Sequence, residues 1–156
     1  MTYLLLKLAH VVGAAVIFGT GSGIAFFMLM AHRSGNAEFI AGTARVVVLA
    51  DMIFTTTAVV LQPVTGYFLM RQTGVTFTES WVAVSLALYL VAGAFWLPVV
   101  WIQVRMRDLA LAASDMGAPL PPGYYHLFRI WFLFGFPGFG AVLAILFLMI
   151  AKPVLY

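Results

Sequence analysis

Four long apolar stretches constrain this chain more than any other feature, because each can cross roughly 30 Å of hydrocarbon as a helix. They run from about Tyr3 to Ala31, Val46 to Met70, Trp81 to Val104 and Ile130 to Ala151. In lipid the backbone must satisfy its polar groups within its own segment, which makes such stretches helical. The expected fold is all-α: a four-helix transmembrane bundle, up-down-up-down, with both termini on the same side and residues 1–156 in a single domain. Charged residues make up 8% of the chain, against about 25% in an ordinary soluble domain. Eight basic and five acidic side chains cannot coat this much apolar mass in water, which excludes a soluble globular domain. The net charge of +3 is spread thinly between apolar runs, which excludes a disordered or nucleic-acid-binding chain. The absence of cysteine excludes disulfides, zinc ribbons, iron–sulfur clusters and thiol catalysis. The first stretch is too long for a secretory signal, and no small-residue cleavage site with a polar mature sequence follows it, so it is expected as a retained helix.

Arginine and lysine set the expected orientation. Arg33, Arg45, Arg105, Arg107 and Arg129 follow helices one and three, whereas Lys7, Arg71 and Lys152 occupy the other side. This places the termini outside the cytoplasm, in the periplasm for a bacterial inner-membrane protein. Aromatic residues form two levels consistent with interfaces: Tyr3, Tyr67, Trp81 and Tyr156 on one side, Trp101, Tyr124, Tyr125 and Trp131 on the other. Small-residue spacing within Gly19–Gly23, and Gly135, Gly138 and Gly140 around Pro137, predict close helix packing and a kink. The expected partners are the lipid bilayer and either further copies of the chain or a larger membrane complex.

Ionisable groups inside a span are functional candidates. His10 stands about 10 Å deep in helix one, and its face continues through Gly13, Ala14, Ile17, Gly21 and Met28. A histidine above small residues is a groove in which a b-type haem can lie. The alternative is a histidine hydrogen-bonded across helices to Gln62 or Tyr89. His32 lies about 33 Å further along the helix, so a bis-histidine site would pair it with His126 rather than His10. Met28 and His32 share a face, and with Met52 they form a candidate Cu(I) ligand set. Asp51, inside helix two, must be neutral, paired or wet. A structural ion pair with Arg105, or with Arg129, and a proton-relay role are both open. Thr55, Thr56 and Thr57 are expected to bond to their own backbone. No serine, histidine and carboxylate fall into a hydrolytic arrangement, no catalytic residue is assigned, and Gly19–Gly23 does not follow a strand as a phosphate loop would.

The run Leu6-Lys7-Leu8-Ala9-His10-Val11-Val12, opening a helix that ends in Ala31-His32-Arg33, resembles the start of the HemJ-type protoporphyrinogen IX oxidases. Leu61-Gln62-Pro63-Val64-Thr65-Gly66, Trp81, Phe128-Arg129-Ile130-Trp131-Phe132 and Lys152-Pro153 extend the similarity along the chain. CopD-like membrane proteins and other bacterial four-helix proteins belong to the same broad group. The resemblance implies a haem-associated bundle in a bacterial inner membrane, with His10 matching the haem-linked histidine. Ser85 stands where those oxidases carry a lysine, and Phe95 and Trp96 occupy the region of a further histidine, which points away from porphyrinogen oxidation and leaves haem binding. The expected function is a small b-haem redox protein. The alternatives are a cofactor-free accessory subunit of a membrane complex and copper handling.

Overall fold

The computed structural model describes residues 1–154 and is helical throughout its ordered elements; the interfacial assignment of Tyr156 lies outside the described residues. Helices α1 (Thr2–Ser34), α2 (Ala37–Thr73), α3 (Ser80–Asp115) and α4 (Pro122–Ala151) are each long and apolar enough to span a membrane. Successive helices run antiparallel, with α1 against α2, α2 against α3 and α3 against α4. The first connection contains only Gly35 and Asn36. Gly35 adopts φ 66°, a left-handed conformation that closes α1, and the Asn36 side chain accepts the Phe39 amide at 2.9 Å to start α2. Gly74 ends α2 the same way at φ 73°, and Pro122 occupies the first turn of α4, where its missing N–H leaves no helical bond unmade.

The helices outrun the apolar stretches. The interval Arg105–His126 is largely helical, since α3 continues to Asp115 and α4 begins at Pro122. At 1.5 Å per residue α3 is about 54 Å long, some 24 Å more than hydrocarbon requires. Its surplus carries Arg105, Arg107, Asp108 and Asp115, so the bundle projects into water at the end holding the Gly35–Asn36 turn, called here the loop end. There the buried residues follow helical spacing: Ile40, Ala41, Ala44, Val47 and Val48 on α2, Met106, Ala110 and Ala113 on α3, and Tyr124, Phe128 and Trp131 on α4. With Ile24, Met28 and Ala31 of α1 they make the hydrophobic core of the molecule.

Towards the chain termini the packing changes. The second half of α2 leaves α3 and lies against α1. The close approach is made at two glycines, because a Cβ on Gly13 would come within 2.7 Å of Gln62 Nε2 and one on Gly66 within 3.3 Å of His10 Cε1. Leu4, Leu5, Leu8, Phe68, Leu90 and Phe147 here face outward, as lipid-facing side chains do. Across the gap the Tyr89 hydroxyl of α3 donates to the Val59 carbonyl of α2. That carbonyl is free because its helical partner would be the amide of Pro63, which has no N–H.

Candidate functional site

Two polar layers cross the bundle. The first centres on His10. Its Nδ1 lies 2.8 Å from Thr65 Oγ1, and the Thr65 hydroxyl is itself 2.8 Å from the Leu61 carbonyl and 3.2 Å from that of Gln62. A hydroxyl has one proton. Thr65 spends it on its own helix backbone and therefore accepts from His10 Nδ1–H. In this arrangement the proton sits on Nδ1, and Nε2 carries a lone pair with no hydrogen-bond partner among the described residues. Gln62 Nε2 donates to the His10 carbonyl at 2.8 Å and fixes the backbone below the ring. Of the groove expected around His10, Gly13 is filled by Gln62, whereas Gly21 is half-buried with open space at its Cβ position and Ala14 is half-buried.

The second layer centres on Asp51, 3% exposed at the point where α2 departs from α-helical winding. Residues Asp51–Thr55 form a π-turn, in which the Thr56 amide reaches back five residues to the Asp51 carbonyl. Trp96 Nε1 donates to Asp51 Oδ1 at 3.4 Å. Gln103, oriented so that both ends of its amide are satisfied, donates Nε2 to Asp51 Oδ2 at 3.2 Å and accepts Trp131 Nε1 at 3.2 Å. All the protons of this chain point towards the carboxylate.

Arg105 is not a partner of Asp51. The single ion pair among the described residues joins Arg107 to Asp108 at 2.8 Å, and Arg105 is exposed. The reason is angular: Arg105 is two residues beyond Gln103, about 200° around the helix, so Gln103 facing Asp51 turns Arg105 away. Arg129 stands in the same relation to Trp131 and is also exposed.

The same offset separates His32 from His126. The His32 ring lies flat on Phe128, centroids 3.6 Å apart at 7°, and His126, two residues before Phe128, is exposed. His32 Nδ1 is buried without a hydrogen bond, as is the hydroxyl of Tyr124, whose ring stacks beside it at 5.8 Å. Of the candidate Cu(I) ligands, Met28 is buried and Met52 is 43% exposed. No cluster of three histidine or acidic ligands occurs among the described residues. Thr56 and Thr57 bond to backbone carbonyls as expected; the Thr55 hydroxyl does not. Reading the sequence missed Trp96 and Gln103 as partners of Asp51, and Trp131 as the donor behind Gln103. The spacing that places Gln103 on the seam with Met106 and Ala110 was the available signal.

The chain belongs to the DUF2269 family, described as predicted integral membrane proteins, whose family model matches residues 4–153. No curated protein and no solved structure matches it.

Proposed function

We propose that this integral membrane protein binds a b-type haem through His10 and serves as a one-electron redox carrier within the bilayer. The observation that carries the reading is the Thr65 contact: with its own proton on the helix backbone, Thr65 accepts from His10 Nδ1–H and leaves the Nε2 lone pair without a partner among the described residues. An acceptor on the distal ring nitrogen orients a ligating imidazole and raises its basicity, which packing alone does not require. The donor chemistry fits an axial ligand. The small-residue groove fits in part, since Gly13 and Gly66 are taken up by helix contact while Gly21 stays open. When bound, the haem supplies one-electron exchange at a potential set by its ligand and surroundings. The chain's own part is to hold the His10 ring through Thr65, brace its backbone through Gln62 and keep water out with lipid-facing leucines. The similarity of the His10 segment to the HemJ-type oxidases supports the same reading.

The test is the absorption spectrum of protein purified after haem-replete expression. The expected result is a Soret band with stoichiometric haem, lost in His10→Ala and shifted in Thr65→Val. A colourless wild-type protein overturns the proposal and favours the cofactor-free accessory subunit.

A further inference from the structure

We infer that Asp51 is a proton-binding site inside the membrane, in which the carboxylic acid donates its O–H to Thr55. Asp51 is buried just inward of the arginines of α3 and α4. Two donors, Trp96 Nε1 and Gln103 Nε2, reach its two oxygens, and neither brings a charge. Among the described residues no cationic group pairs with it from any neighbouring element. Arg45 of α2 is six residues away, about 240° around the helix, and it, Arg105 of α3 and Arg129 of α4 are all exposed. Helix α1, which also packs on the π-turn, has no ionisable side chain between His10 and His32, and Arg71 lies at the far end of α2. A carboxylate so placed needs a positive charge, and a proton is the one for which the site is fitted.

The fitting is Thr55, one turn beyond Asp51 on the same face. It is 5% exposed, and its hydroxyl oxygen is buried without a hydrogen bond. A helical threonine normally donates to the carbonyl four residues back. Here that carbonyl belongs to Asp51 and is already occupied by the Thr56 amide and by the Thr56 hydroxyl at 3.1 Å, because the π-turn shifts the bonding by one residue. The winding defect therefore leaves an orphaned oxygen beside a buried carboxyl group. Uptake of one proton removes the buried charge and lets the acid O–H pair with that oxygen, with Trp96 still bonded to Oδ1 and Gln103 to Oδ2.

Infrared difference spectroscopy of the protein in lipid nanodiscs tests this across a pH series. The wild type is expected to show a carboxylic C=O band that bleaches at alkaline pH and is absent from Asp51→Asn. Thr55→Val, which removes the acceptor but keeps the shape, is expected to weaken proton binding roughly fivefold, the worth of one hydrogen bond, and Thr55→Ser to restore it. Should Asp51→Asn fail to fold, the valine and serine variants decide the matter alone. The inference is overturned by a wild type with no such band at any pH at which it remains folded. It is equally overturned by unchanged or tighter proton binding in Thr55→Val, or by loss of the band on adding sodium at fixed pH.

Discussion

At the loop end of the bundle Met28, Ile40, Met106 and Tyr124 are each less than 2% exposed, whereas the buried positions towards the termini include Gly13, Ala58, Thr65, Ser80 and Ser85. The two ends contain the same four helices but sit in different solvents. Where the bundle stands in water, burying an apolar side chain removes it from water, and large side chains at helical spacing close into a core. Where lipid surrounds it, leucine is as well solvated outside as inside, and helices meet only where small residues permit close approach or a hydrogen bond joins them. Gly13 under Gln62, Gly66 under His10, and Tyr89 on Val59 are those places. The polar groups near His10 thus hold helices together and orient a functional ring at once.

This contrast can be broken most sharply by truncating one large side chain at each end. Met106, 0% exposed, loses its thioether in Met106→Ala; the expected cost is about 3 kcal/mol, the usual range for a core deletion. Leu90, 72% exposed among lipid-facing residues, should lose less than about 0.5 kcal/mol in Leu90→Ala. Reversible unfolding in mixed micelles measures both. Equal losses would mean that the loop end is not a water-facing core.

A smaller effect belongs to the terminal end. In Tyr89→Phe the Val59 carbonyl loses its donor, at an expected cost of about 1 kcal/mol. The carbonyl is open only because of Pro63, so Pro63→Ala supplies an amide for it. Tyr89→Phe should therefore cost much less in a Pro63→Ala background. Strict additivity would show that the tyrosine does not stand in for the missing amide.

The fold was legible because hydropathy and length are one-dimensional quantities: runs of apolar residues specify spans whatever their neighbours do. The site was legible only in part, because a contact needs a face as well as a depth. Depth alone matched Asp51 with Arg105 and His32 with His126, whereas Gln103 and Phe128, each two residues from the expected partner, face them instead. Helical spacing with Met106 and Ala110 would have selected Gln103 over Arg105. The π-turn had no such signal. It lies against α1, and it removes Thr55 from the backbone bonding that its neighbours Thr56 and Thr57 make.

The finest test sets one tyrosine against another. Tyr124 at the loop end is fully buried, stacked at 26° to both His32 and Phe128, and its hydroxyl has no partner. Its worth to the core is therefore its ring. Tyr124→Phe keeps the ring and removes only a desolvated hydroxyl, so stability should stay the same or rise by up to about 1 kcal/mol. The identical substitution at Tyr89 removes a hydrogen bond that joins two helices in lipid, so the same chemical change should have opposite consequences at the two ends. Unfolding of the two variants side by side reads this directly. If Tyr124→Phe is the more damaging, its hydroxyl is satisfied in solution, as by a buried water shared with His32 Nδ1, and the loop-end core is a wetter structure than its apolar packing implies.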